Sequence, residues 1–230
     1  MSDLPIPALD EAVPVLPLPN VVLFPRAVLP LHIFEPRYRL MVRDALQGSR
    51  LVAMALLREG YQAKYYTNVA EIHPVVCVGR ILSHERLDEG KYNLMLQGLC
   101  RARVRQEQRD GPYRLAMLEA MVPREPPADG LIHQQLRQAL RQAMAQKPFE
   151  RISTVRQLQR LIDTELSLGQ VADLLAYSMV QEVQVKQQLL EQLDVVRRVE
   201  QLLAEIDTLA RIVDVTRRYR SRWPPQQVMN

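Results

Sequence analysis

The chain has 230 residues, enough for one large domain or two small ones with a real core. Its 30 basic and 26 acidic side chains leave a net charge of +4, and 47% of residues are apolar, which implies neither a disordered chain nor an obligate polyanion binder. The start, MSDLPIPALDEAVPVLP, has acids and prolines where a leader needs basic and unbroken apolar residues, and no run reaches the ~18 apolar residues of a membrane span, so a cytoplasmic protein with no membrane partner is expected.

Residues 1–14 read as a loose, Pro-rich lead-in. VVLF (21–24) is a short β-rich run stopped by Pro25. Leu29, Leu31 and Ile33 then alternate with Pro30 and His32, the period of a half-buried strand whose proline suits an edge or a bulge. Pro36 fits the first position of a helix, and Glu35 favours the positive helix start. Tyr38, Met41, Val42 and Ala45 make one apolar stripe, and Gly48 ends the helix. LVAMALL (51–57) reads as a buried strand, followed by a polar loop with Tyr61, Tyr65 and Tyr66. Four more strands are expected at 75–82, 91–99, 100–106 and 113–122, separated in part by DEG and DGP turns. In CRARVRQ, Arg101, Arg103 and Arg105 share one face of the strand, opposite Ala102 and Val104.

PREPPADG (123–130) stops both strand and helix, and Leu, Gln, Arg, Ala and Glu dominate beyond it. Three or four helices are expected, broken at 147–151 and near Ser167, with Ser167 and Asp194 as N-caps. The helix after Ser167 carries Val171, Leu174, Leu175 and Met179. Val196, Val199, Leu203, Ile206, Ala210 and Val213 form a short heptad seam, read as packing within one bundle. In the tail, Arg217, Arg218, Arg220 and Arg222 surround Tyr219 and Trp223, a pattern that admits nucleic acid but more often marks a solvated terminus. The expected division is therefore a lead-in at 1–14, a β-rich unit at 15–123, a linker at 124–130, helices at 131–214 and a basic tail at 215–230.

The chemistry of known engines is missing from the sequence. There is no Gly-Lys-Ser/Thr phosphate loop, no Gly-x-Gly-x-x-Gly, no Gly-x-Ser-x-Gly elbow and no His-Glu-x-x-His. Cys77 and Cys100 lie in apolar strand-like runs and read as reduced, buried thiols. His73, Cys77 and His84 have metal-binding chemistry, but if one strand spans them its ends stand ~35 Å apart, so no metal is expected. No cofactor and no catalytic residue is assigned. In Phe34, Glu35, Pro36, Arg37 and Tyr38, the charges sit at a helix terminus and the proline fixes the backbone, so this motif reads as architecture rather than an acid–base site.

LPLPNVVLFPRAVLPLHIFEPRYRLMV (16–42) resembles the opening of the Lon protease N-terminal domain family, and HPVVCVGRI (73–81) and YNLMLQGLCRARV (92–104) resemble its next blocks. VADLLAYSM (171–179) and KQQLLEQLDVVRRVEQLL (186–203) fit its helical half. The resemblance implies an α+β protein, with an N-terminal PUA-like β-barrel carrying one early helix and a C-terminal α-helical bundle. In full Lon proteases this unit precedes ATPase and protease modules, so a stand-alone, non-enzymatic recognition module is implied. Its implied partners are unfolded or degron-bearing protein and an ATP-dependent protease. The alternative, from RNA-binding members of the PUA-like fold, is RNA on the face of Arg101, Arg103 and Arg105. Two features depart from the family: Arg26 stands where glycine usually follows LFP, and the tail beyond about residue 212 has no counterpart. By chemistry, Tyr65, Tyr66 and Arg26 are the candidate peptide contacts.

Overall fold

The structure, a computed structural model, describes residues 6–150 and 152–220. Among the described residues, six strands form one sheet: β1 (Val13–Leu18), β2 (Val28–Ile33), β3 (Leu51–Leu56), β4 (Val75–Arg86), β5 (Tyr92–Gln108) and β6 (Arg114–Met121). Helix α1 (Pro36–Gln47) lies between β2 and β3. Five helices follow the sheet: α2 (Leu131–Met144), α3 (Ser153–Ile162), α4 (Leu168–Met179), α5 (Val183–Glu191) and α6 (Val195–Arg220). Among the described residues, no helix is long and apolar enough to cross a membrane.

The strand order is β2-β5-β4-β3-β1-β6, and β5 also pairs with β6. That extra pairing closes a ring of β1, β3, β4, the second half of β5, and β6. The far half of β4, the first half of β5, and β2 project from the ring as a three-stranded extension. The expected α+β fold is thus present, with β2 outside the barrel proper.

Four local expectations are corrected. A strand begins at Val13, inside the stretch read as a lead-in. Its prolines are tolerated because its two neighbours are staggered. Pro14 pairs only with β6 and Pro17 only with β3, so each is on a stretch with one ladder. VVLF forms no strand, yet Val22, Leu23 and Phe24 are buried as an unpaired lead into the turn at Arg26. The strands expected at 91–99 and 100–106 are the single strand β5 from Tyr92 onward, since no turn residue separates Leu99 from Cys100. Five helices replace the expected three or four among the described residues, because the chain also breaks at 180–182, between α4 and α5. Ser167 caps α4 in a reciprocal pair with Gln170, and Asp194 accepts the Arg197 N–H at 3.3 Å.

Two cores follow from the alternation of side chains. Val15, Ala53, Val78, Ala102, Ala116 and Leu118 fill the inside of the ring. Small residues dominate there, as a narrow ring requires. The outer surface, with Leu16, Met54, Cys77 and Leu96, is continuous with α1 and with Leu140, Leu175, Leu202 and Ile206 of the helices. The expected α1 stripe of Tyr38, Met41, Val42 and Ala45 is buried against this core.

The bend in β5 rests on Gly98. The Phe24–Ala27 turn packs on it so closely that a Cβ would collide with the Phe24 carbonyl. Arg26 in that turn has φ 67°, the left-handed region, and its N–H donates to the Gly98 carbonyl at 2.8 Å. Gly98→Ala is expected to cost about 3 kcal/mol, read as a lower urea midpoint with an unchanged slope. An unchanged midpoint would contradict this packing.

Both cysteines are free and buried. Burial raises Cys77 well above its ordinary value and Cys100 from 9.0 to about 11. The unfolded thiols therefore ionise first, and the contribution of Cys100 to stability is lost as pH rises from 9.0 through about 11. In the native protein both thiols should react with an aromatic disulfide reagent at pH ~8 at least about tenfold slower than in denaturant. Equal rates would show that the ring opens readily.

Candidate functional site

The strand–turn–helix junction is held by one arginine. Arg37 donates from Nε to Glu35 at 3.1 Å, from Nη1 to the Thr67 carbonyl at 3.1 Å, and from Nη2 to the Tyr65 carbonyl at 3.0 Å. Its guanidinium also lies 4.4 Å from the Tyr38 ring centre and 5.9 Å from that of Tyr65. Arg37 thereby staples the tyrosine loop to the start of α1. Desolvation by burial, helped by the nearby Glu35 carboxylate, raises the Tyr65 hydroxyl. Tyr65 is half-buried against Tyr61 and Tyr66, at ring separations of 5.9 and 5.0 Å. Tyr66 itself is 83% exposed, and Phe34, just before the junction, is 59% exposed.

Phe34 continues onto the outer face of the three-stranded extension. Across that face the register aligns Pro30 with Met95 and Ser83, and His32 with Asn93 and Glu85. His32 stacks on Phe34 at 6.1 Å and bonds Asn93 through Nδ1 at 2.8 Å. Leu82, at a register shift in β4, and Met95 are also exposed. A shallow groove of about 470 Å³ runs between these rows. Its character is mixed, with apolar Pro30 and Met95 beside polar His32, Asn93 and Glu85, and Phe34 adjoins it through its stack on His32. The free edge of β2 is blunted. The Val28 carbonyl accepts from the Tyr177 hydroxyl at 3.4 Å, and Pro30, two residues on, has no N–H to offer an added strand.

The three strand arginines are not an exposed face. Arg101 is buried under the helices, with Nη1 and Nη2 on the two oxygens of Asp173 at 2.8 and 2.6 Å and Nε on the Leu190 carbonyl at 2.8 Å. Arg103 is exposed, and Arg105 pairs with Glu119. Alternation placed the three on one side of β5 correctly, but that side is covered at its start. Asp173 was missed, although a carboxylate inside the apolar run VADLLAYSM was a visible signal for a buried cation. Leu174, expected in the apolar stripe of that helix, is only half-buried. Cys77 and His84 lie on the one strand β4, as far apart as their spacing implies.

Helix α6 continues through residues 215–220 of the expected tail, with Arg217 and Tyr219 exposed. Arg222 and Trp223 lie outside the described residues. The heptad seam packs within the chain: Val199, Ile206 and Ala210 are buried, and Val196, Leu203 and Val213 are half-buried against the common core.

Residues 12–208 match the family described as the ATP-dependent protease La (LON) substrate-binding domain. The chain is similar to Lon protease of Desulfosudis oleivorans, 26% identical over 86% of this chain and 24% of that protein. It is 30% identical to Lon protease 2 of Sorangium cellulosum, over 85% of this chain and 24% of that one. The chain thus spans about a quarter of the length of the curated relatives it matches. Among solved structures, the Lon N-terminal domain protein from Xanthomonas campestris aligns with a TM-score of 0.57 and 25% identity, covering 84% of this chain and 98% of that one. The N-terminal domain of Mycobacterium avium complex Lon protease shares the fold, with a TM-score of 0.61 and 20% identity over 86% of this chain and 98% of that one. With the match running from the lead-in before β1 into α6, and the fold found again in Lon N-terminal domains, the chain belongs to the Lon substrate-binding domain family.

Proposed function

We propose that this chain captures unfolded or degron-bearing polypeptide on the outer face of its three-stranded extension, as a recognition module for an ATP-dependent protease. The observation that carries this reading is the exposure of Met95 in one groove and of Phe34 beside it, stacked on His32. Solvated apolar side chains grouped beside polar rows have the composition of a binding surface. The family supports it, since its description is that of a substrate-binding domain.

Recognition would run through side chains. Burying apolar groups of an extended segment against Phe34 and Met95 gains about 25 cal/mol per Å² removed from water. His32, Asn93 and Glu85 meet the segment's backbone amides. Adding the segment as a new strand on β2 is disfavoured by Pro30 and by Tyr177 on the Val28 carbonyl. A folded protein hides its apolar side chains and so offers little to this face. Tyr66, packed on Tyr65 beside the Arg37 staple, is a further exposed aromatic, while Arg26 stands at the ring–helix seam and is left out of this face.

The test is fluorescence anisotropy with a labelled, reduced and alkylated protein that cannot fold. Micromolar binding is expected, with the native form of the same protein at least about tenfold weaker. Phe34→Asp combined with Met95→Asp should weaken binding about tenfold or more at unchanged circular dichroism. Wild-type affinity in the double variant would contradict the assignment of the face.

A second prediction concerns the loop. Arg37→Ala removes three hydrogen bonds and should speed limited proteolysis within 58–70, with a stability loss of about 1–3 kcal/mol. Unchanged cleavage would show that the loop is held by other contacts.

A further inference from the structure

A pocket of about 450 Å³ lies on the seam between the ring and the helices, away from the outer sheet face. Arg26, Arg101, Glu125, Asp173 and Arg198 are its charged lining, and Met121 and Val122 lie on its apolar side. The polar side is short of hydrogen-bond acceptors. Asp173 gives both carboxylate oxygens to Arg101. Arg198 is 0% exposed and approaches the same carboxylate only through Nε, at 3.4 Å. Its Nη1 donates to the Gln192 carbonyl at 2.9 Å, while Nε and Nη2 find no hydrogen-bond acceptor. Two buried guanidiniums therefore share one carboxylate. Burial lowers Arg198 from its ordinary value to about 10, as befits a cation whose lost water is incompletely replaced. Buried donors left unmet are uncommon in native proteins and call for a partner.

The wall beside Arg198 is the first turn of α4. Helix starts attract anions through their free N–H groups. Here the Glu125 carboxylate accepts from Ser167 Oγ at 2.7 Å and from the Gly169 N–H at 3.1 and 3.2 Å. A Cβ on Gly169 would stand 2.7 Å from Arg198 Nη2, so only glycine lets the guanidinium come up to this turn. Glu125 holds the helix start and still leaves Nη2 unmet.

We propose that this pocket binds a carboxylate attached to an apolar group. The carboxylate takes Arg198 Nη2 beside the α4 start, and the apolar group lies against Met121 and Val122. A single negative charge meets the unmatched Nη2 donor, and Glu125 on the same wall disfavours a doubly charged phosphate more strongly. Two sources carry the chemistry: the free C-terminus of a peptide, and a small aliphatic acid. The site stands whether or not the outer sheet face binds polypeptide.

The test is calorimetric titration of the intact chain with three probes: the tripeptide acetyl-Leu-Ala-Leu with a free carboxylate, the same tripeptide as its amide, and 4-methylpentanoate. The free acid should bind at least about tenfold tighter than the amide, and Arg198→Met should abolish the difference. Binding of 4-methylpentanoate as well would identify a small-acid site, and binding of the peptide acid alone a C-terminus site; either supports the proposal. Equal binding of acid and amide, no binding of any probe, or wild-type affinity in Arg198→Met would overturn it. Should Arg198→Met lose its native circular dichroism, Val122→Asp decides. That residue is 66% exposed at the pocket mouth, and the new charge should weaken the acid several-fold and spare the amide. Unchanged acid affinity in Val122→Asp would equally overturn the proposal.

Discussion

Arg101 and Asp173 are two charges taken out of water, with side chains only 1% and 4% exposed. Desolvating such a pair costs several kcal/mol per ion, and it is offset only when geometry is good and the remaining donors are met. Both conditions hold here. The contact is bidentate, and the third donor of Arg101 takes the Leu190 carbonyl at the end of α5. One side chain from the bend of β5 thus fixes α4 and α5 against the ring. The same seam is reinforced by Gln187 Nε2 on the Val75 carbonyl at 2.9 Å and by His73 facing Glu191 at 3.3 Å.

What the ion pair positions bears on recognition. Helix α4 carries Tyr177, whose hydroxyl reaches the Val28 carbonyl and occupies part of the open edge of β2. The helices cover the inner surface of the extension, where Ile33, Leu94 and Leu96 join the common core. Only the outer surface remains for a partner. An edge closed by a tyrosine and a proline also resists strand-to-strand association of copies, the usual hazard of a free β-edge. The module can expose Phe34, Leu82 and Met95 without also exposing a strand template.

Legibility in the sequence followed the range of the forces involved. The α1 stripe and the Ser167 cap depend on neighbours within one or two turns, and the pattern of residues was enough to place them. Strand β1 was missed because local rules count Pro14 and Pro17 against it; its stagger between β3 and β6 is visible only in three dimensions. Strand β5 was split because an apolar run ended at Leu99, while its continuity depends on Gly98 accepting the Phe24 turn. Alternation along CRARVRQ told which side each arginine takes but not what covers that side. The groove was only partly legible. Exposure of Phe34 and Met95 is a property of where the helices stop, and no periodicity within β2 or β5 encodes it.

The most direct test of this account is a double-mutant cycle on the ion pair, with Arg101→Ala, Asp173→Ala and the double variant unfolded in urea. Each single change should cost about 3–5 kcal/mol, because Asp173→Ala strands Arg101 and Arg101→Ala leaves Asp173 only the longer contact to Arg198. The double variant should cost less than the sum, with a coupling of about 2 kcal/mol or more. Losses that add to within about 0.5 kcal/mol would show that the two residues act independently, and that apolar packing alone joins the helices to the ring.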